Sequence, residues 1–450
     1  SKTDTLNASI TATGVGSVDQ NGVLSPAETS SLEARFHLVR ENGQWRIDAP
    51  ADGVVVSQAS FTASHELVSL MFLSATGDSL IADPRWYPTR RVETHMLEGL
   101  IAGPQSHLSD ALVNAIPSGT SISAGGIELS DHVAKVSLNG TLPSDDRGKQ
   151  LMAWEISQTL QRSGRVNSVE INVGGEVLPS SGLPSQPSFD LDSAVAFNSN
   201  GLVRIDGRSV STRILPIAPS PSASLPAVSP VSSSLLAWRE DDRLILVDSS
   251  TNATRVVDGS QGQYSPSIDR FGWVWDIPRG GNLRASRIDG QNLPIASENQ
   301  SLSGVSAVRI SPDGARALLL RQVGGSTSAW IAGIERRGSG EPIALTDPEP
   351  LAGLSTGVDD VSWAGRSTVV AVRQGGLRVG NDQVDEVSLV TVPVGGFPSV
   401  LALPTGTQRL SAGSSSTTMV IRGKDGNYQV RSGALWQSLE GNLRDVNFPG

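Results

Sequence analysis

The sequence predicts a multidomain protein: two small α+β units, the first incomplete, followed by an all-β propeller. Three observations carry that expectation. A short apolar strand followed by a polar turn recurs through the C-terminal half. Helix and strand periodicities succeed one another between residues 65 and 180. A Pro/Ser/Gly-rich stretch, residues 178–188, separates those two regions.

Residues 1–62 read as short strands. Arg35–Val39 is a strand candidate, Glu41–Gln44 a turn and Trp45–Ile47 the returning strand. The Asn42-Gly43 pair supplies the positive φ that a tight hairpin needs. No clear helix is evident. A sheet this small buries too little to fold alone, so it is expected to lean on its neighbour with Trp45 or Trp86 at the joint.

Residues 63–180 change character. Leu67–Leu73 is apolar enough for a central strand, and Asp83–Pro88 follows as an extended segment. Val92, Met96, Leu97, Leu100 and Ile101 recur at helical spacing, and Gly103-Pro104 ends that helix. Ile122–Leu138 holds two strands around a Gly-Gly turn. Ser144 is placed to cap a second helix, with Asp145 and Asp146 in its first turn. Met152, Ile156 and Leu160 form the stripe of that helix. Val169, Ile171 and Val173 alternate with polar residues, as a half-buried strand does. Helices and strands in this order predict a two-layer α+β domain.

Residues 181–188 read as a linker and 189–450 as the propeller. Strands recur at Leu235–Trp238, Gly272–Trp275, Ala317–Leu320, Thr368–Val372 and Thr418–Ile421. The period of roughly 37–51 residues suits one four-stranded blade. A blade buries its faces only against its neighbours, so the array must close. Ala194–Phe197 and Gly201–Ile205 read as part of a further blade that Leu443–Phe448 completes. Six blades are expected, with five and seven as the alternatives. The Pro/Ser tract Pro216–Pro230 reads as a long surface loop.

Composition narrows the function. The net charge of −10 and pI of about 5.1 argue against a general nucleic-acid binder, which needs a basic face. No apolar run is long enough to span a membrane. Cysteine is absent, which excludes a disulfide, a thiolate nucleophile and Cys-ligated zinc. Histidine occurs at 37, 65, 95, 107 and 132 only. The propeller region therefore holds neither a histidine base nor a histidine metal ligand. The chain opens at Ser1-Lys2-Thr3, which reads as a chain trimmed of its targeting segment.

Individual motifs point away from catalysis. His65-Glu66 begins like HExxH, but Ser69 stands where the second histidine is required. Asp19-Gln20-Asn21-Gly22 lacks the remaining ligands of a calcium loop and reads as a turn. Asp145/Asp146, Asp241/Asp242 and Asp359/Asp360 read as solvated cap and turn residues rather than acid–base dyads. Trp273 and Trp275 read as packing between blades. Neither catalytic residue, metal nor cofactor is expected. The basic–aromatic cluster Arg85, Trp86, Arg90 and Arg91 is the candidate ligand site, suited to stacking on a sugar or gripping an anionic glycan. Its bland reading has Trp86 packed on the first domain and the arginines solvated.

Three segments together resemble the LpqB lipoproteins of actinobacteria. Trp45-Arg46-Ile47 with Pro50 and Asp52-Gly53 is similar to the end of the LpqB amino-terminal domain. Residues 65–180 resemble a GerMN domain through Leu67–Leu73, Leu97–Pro104, Ala115–Thr120 and Val169–Gly174. The terminal propeller completes the order. The resemblance implies an extracytoplasmic lipoprotein in the cell envelope, held at the outer face of the cytoplasmic membrane by a lipidated N-terminal Cys. It implies association with the MtrA–MtrB two-component system through the extracytoplasmic part of the MtrB sensor kinase, with effects on cell-wall homeostasis and cell division. The lipidated Cys and the segment after it have no counterpart in the sequence, so the first domain reads as incomplete. The alternative function is binding of a cell-wall glycan or peptide by the GerMN-like domain or the propeller channel.

Overall fold

The computed structural model describes residues 4–27, 31–48, 53–213, 219–297, 299–375, 378–379, 382–383 and 387–450. Pro50 and Asp52, which share in the resemblance, lie outside these residues, as do 216–218 of the Pro/Ser tract. The first unit is an antiparallel sheet of Thr5–Ala12, Leu32–Glu41 and Gln44–Ile47, with a separate hairpin of Gly16–Val18 and Leu24–Pro26. Asn42 and Gly43 turn the chain with φ of 49° and 83°. Helix α1 (Gln58–Ser64) follows, its Ser57 cap accepting the Ser60 N–H at 3.1 Å. Sequence periodicity did not reveal it, because two turns are too few for a periodic stripe to register.

The second unit holds two sheets. One orders Leu80–Pro88, His65–Ser74 and Leu112–Val113; the other orders Glu176–Val177, Ser168–Val173, Val133–Asn139 and Ser121–Ser130. Helix α2 (Val92–Ala102) buries Val92, Met96, Leu97 and Leu100. Val133–Asn139 and Ser168–Val173 run parallel, which demands a crossover, and helix α3 (Asp146–Gln161) supplies it. Its cap is Asp145, one residue later than the expected Ser144, and Asp145 accepts the Gly148 N–H at 2.7 Å. A carboxylate there also answers the helix dipole.

Helix α3 buries three polar residues, Glu155, Ser157 and Thr159. Strand His65–Ser74 pairs along one side but meets Leu112–Val113 only at Leu73 and Ser74. Its remaining N–H groups need acceptors inside the core. Thr159 Oγ1 accepts the Met71 N–H at 2.9 Å, and Glu155 accepts the N–H groups of Leu73 and Ala115 at 3.3 and 2.8 Å.

In the propeller, six sheets follow in sequence among the described residues. We number them as blades 1–6 from the N-terminal side. Their innermost strands are, in blade order, Arg444–Asn447, Ala223–Val228, Ser267–Ile268, Val305–Ile310, Val358–Trp363 and Thr407–Ala412. Each touches the next in that order, and Thr407–Ala412 touches Arg444–Asn447, so the ring is closed. The C-terminal strand pairs with Ser193–Asn198 of the first blade, Val195 opposite Asn447. The Pro/Ser tract is not the surface loop expected, since Ala223–Val228 is the innermost strand of blade 2. Pro226 is tolerated there because it sits within the register shift between Ser224 and Ala227. Trp273 and Trp275 are buried in one apolar cluster with Ile310 and Leu319 of the following blade.

Two predictions follow from these elements. Phe448 is buried beside the closing strand, so Phe448→Ala should cost about 3–5 kcal/mol and removal of residues 440–450 should lower the melting temperature of the whole ring cooperatively. A truncated chain melting like the full one in calorimetry would contradict the closure. Burial pushes the Glu155 carboxyl up to about 8, against the pull of its N–H donors. The folded chain thus retains a proton that the unfolded chain releases above its ordinary pKa of 4.5. The stability this contributes is complete at low pH and is lost as pH rises through 8. Denaturant titrations from pH 5 to 8 should show that decline, and Glu155→Gln should flatten it.

Candidate functional site

Of the four residues of the basic–aromatic cluster, Arg85 and Trp86 line one cavity of about 800 Å³ with Asn21, His65 and Glu349, whereas Arg90 and Arg91 do not. Arg85 and Trp86 are buried, whereas Arg90 and Arg91 are exposed at the start of α2. Within the strand Leu80–Pro88, adjacent side chains leave opposite faces. The Arg85 guanidinium binds buried Asp83 at 2.9 and 3.1 Å and the Asn21 carbonyl at 3.1 Å. Trp86 turns the other way. Its ring meets those of Phe61 and Phe397 at tilted angles, with centroids 5.1 and 5.2 Å away, and its Nε1–H donates to the Gly395 carbonyl at 2.9 Å. Its backbone N–H donates to Gly22 at 2.8 Å. Glycine is required there, with φ of 80° and the Trp86 carbonyl 2.6 Å from where a Cβ would lie. Trp86 thus joins all three units, while Trp45 stands half exposed on the first sheet. His65 stacks on Phe61 at 4.5 Å and Glu66 pairs with Arg165. Among the described residues, no group of three His, Cys, Asp or Glu side chains is placed to hold a metal ion.

A site that sequence reasoning missed lies on the propeller axis. A cavity of about 110 Å³ is lined from all six blades, including Leu225, Tyr264, Arg309, Asp360, Arg409 and Asn447. Tyr264 precedes its innermost strand, and Asp445, Asp360 and Arg409 are the second or third residues of theirs. The residues that meet the second unit, Arg270 against Ser79 and Arg316 against Ala82, follow the ends of such strands. These strands all run one way around the axis. The lining therefore gathers toward the end of the axis opposite the docked domain.

Innermost strands present unpaired N–H groups to the preceding blade, whose side chains answer them. Ser267 accepts from Ile310 at 2.9 Å, Ser362 from Ala412 at 3.0 Å and Ser411 from Phe448 at 2.8 Å. One step nearer the mouth, Asp360 accepts from Leu410 and Asp445 from Leu225, both at 3.0 Å. Asp360 is thus a buried structural acceptor and not the solvated strand-start residue expected. Blade 4 breaks the series: Arg309 stands where its neighbours carry serine. It donates to the Ser265 carbonyl at 2.6 Å and makes no other side-chain hydrogen bond or ion pair among the described residues. Burial pushes Arg309 down and Asp360 up from their ordinary values, each opposed by the charge of the other. The repeat register could have revealed these residues, since each sits at one of two polar positions on an innermost strand.

A second surface belongs to the first sheet. The register sets Leu6 opposite Leu38, Ala8 opposite Phe36 and Leu38 opposite Ile47. Leu6, Ile10, Leu32, Phe36, Leu38, Trp45 and Ile47 therefore share one face. Leu6, Ile10, Trp45 and Ile47 are 51, 53, 45 and 49% exposed.

Family models match in the same order as these units. Residues 200–449 match the lipoprotein LpqB β-propeller domain, more than half of the chain, and residues 1–62 match the LpqB N-terminal domain. The chain belongs to the LpqB lipoprotein family. Residues 69–179 match the sporulation and spore germination domain model, the GerMN unit of LpqB. Lipoprotein LpqB of Streptomyces coelicolor is 28% identical over 99% of this chain and 79% of its own length. Lipoprotein LpqB of Rhodococcus jostii is 26% identical over 82% and 68%. Among solved structures, TolB of Acinetobacter baumannii is similar over 88% of this chain and 86% of its own, at 15% identity and a TM-score of 0.39. The LpqB relatives and domain models carry no enzyme family name.

The joint yields a contrast that stability measurements can check. Trp86→Ala should cost about 3–5 kcal/mol and expose the interdomain connections to limited proteolysis. Arg90→Ala, on the open surface, should stay within about 0.5 kcal/mol of the parent. Equal effects would mean that Trp86 does not bind the units together.

Proposed function

We propose that this chain is an envelope lipoprotein that binds the extracytoplasmic part of the MtrB sensor kinase and modulates its output. The observation that supports this reading is the apolar face of the first sheet. Contiguous exposed apolar surface of this kind marks protein–protein contact more often than a small-ligand site. The face presents whole side chains on a flat sheet and no pocket with convergent polar groups, unlike a site for a soluble ligand. Membership of a lipoprotein family supports an anchor to the membrane, at the outer face of the cytoplasmic membrane. Confinement of both proteins to one surface raises their effective concentration, so a modest intrinsic affinity suffices.

The test tethers this chain and the kinase to one bilayer and measures co-localisation and kinase autophosphorylation. Both should respond to the parent chain. Ile10→Asp with Ile47→Asp should reduce co-localisation at least about tenfold, the loss expected when a charge is buried unpaired in an interface. Melting should be nearly unchanged, since both side chains already meet solvent. If the kinase ignores the parent chain at physiological surface density, the reading fails.

A further inference from the structure

We propose that the axial cavity of the propeller is a binding site for a carboxylate group, held by the Arg309 and Arg409 guanidiniums and the Asn447 amide. The first ground is the broken series. At the equivalent position Ser267, Ser362 and Ser411 close the ring by accepting an N–H from the next blade. Arg309 cannot accept, and the Trp363 indole repairs the blade contact instead by donating to the Arg309 carbonyl at 3.0 Å. A guanidinium in place of a serine thus does not serve the ring. Its single side-chain partner is the neutral Ser265 carbonyl, which leaves a buried cation without a bound counter-charge, a costly arrangement unless a ligand completes it.

The second ground is an orphaned donor at the same cavity. Asn447 is 5% exposed, and its Nδ2 has no partner. The orientation of its amide is set by its neighbours. Ser411 Oγ receives the Phe448 N–H and donates its own proton to Asn447 Oδ1 at 3.2 Å. The Nδ2 group is then the donor left over, and it belongs to the lining of the cavity.

The charges select the class of ligand. Arg309, Arg409 and Arg422 line the cavity against Asp360 and Asp445, an excess of one positive charge. Both carboxylates are already committed to backbone N–H groups. The Arg409 guanidinium sits over the Tyr264 ring, its central carbon 4.1 Å from the centroid. A monoanion balances this set, whereas a phosphate dianion would meet Asp360 and Asp445 unshielded. A planar carboxylate also matches the paired N–H groups of a guanidinium. A volume of about 110 Å³ admits a carboxylate with a short stem, as a small organic acid or as the C-terminus of a peptide.

The experiment is calorimetric titration of the full chain, and it needs no kinase. The probes are acetate, N-acetyl-alanine, N-acetyl-alaninamide and inorganic phosphate. N-acetyl-alanine should bind saturably at millimolar concentration or below, and its amide should not bind. Acetate matching N-acetyl-alanine would assign a free organic acid; tighter N-acetyl-alanine would assign a peptide C-terminus. Arg309→Gln should weaken binding at least about tenfold, as loss of a charged hydrogen bond does. Because Arg309 is buried, Arg409→Gln, at a half-buried position, provides a variant expected to melt like the parent, and it should weaken binding similarly; Asn447→Asp, at a buried position, should weaken it as well. The proposal is overturned if no probe gives saturable heat, if the amide binds as the acid does, or if phosphate binds more tightly than either carboxylate. Unchanged affinity in Arg409→Gln and Asn447→Asp would overturn it as well.

Discussion

One strand, Leu80–Pro88, is the edge on which the three units of this protein meet. Its inner side completes the sheet with His65–Ser74. A bare outer edge would be a template for unwanted pairing. Here Gly22 takes the Trp86 N–H, Arg316 reaches the Ala82 carbonyl and the Trp86 indole binds Gly395. Asp83, wholly buried on the same strand, makes the arrangement stiff. Its carboxylate gathers the Arg85 guanidinium together with the Gln105 backbone and side-chain N–H groups. A buried charge with every lone pair engaged resists displacement, because any movement leaves it unpaired.

The propeller solves a different problem with similar means. Each innermost strand has a partner on one side only, and its free N–H groups face the preceding blade. Short acceptors from the preceding blade satisfy them, so the ring is held near its axis by side-chain hydrogen bonds as well as by apolar packing between blades. Closure then depends on the last residues of the chain, which supply both the innermost strand of blade 1 and the Phe448 N–H that Ser411 receives. The axis is therefore polar because the closure is polar, and a cavity lined with donors results wherever the series is interrupted.

The functional surfaces divide along the same lines. The first sheet buries little and offers a face to a partner, since three strands without a covering layer leave one side apolar and open. The second unit is enclosed, with Glu155 and Thr159 acting as surrogate strand partners. The propeller turns one end of its axis to that unit and the other away from it, which separates the joint from the axial cavity. The proposed contact surface and the proposed ligand site therefore share no residues.

The order of units, the helices at Val92–Ala102 and Asp146–Gln161, the repeating blades and the closing role of the C-terminus were all legible in the sequence. Each rests on local periodicity or on a repeat, and such patterns are written along the chain. Of the candidate cluster, Arg85 and Trp86 line one cavity while Arg90 and Arg91 lie outside it, because neighbours in sequence around the end of a strand need not share a surface. The tract at 216–230 misled: proline and serine signal a loop, yet a register shift gives Pro226 a place in a strand. The axial residues Tyr264, Arg309, Asp360, Arg409 and Asn447 lie in five different blades, and no local pattern unites them. By itself, the sequence determined which elements form and in what order, through propensity and periodicity. Only the tertiary structure decided which side chains meet, because ring closure and the docking of three units on one strand bring together residues that are remote in the chain.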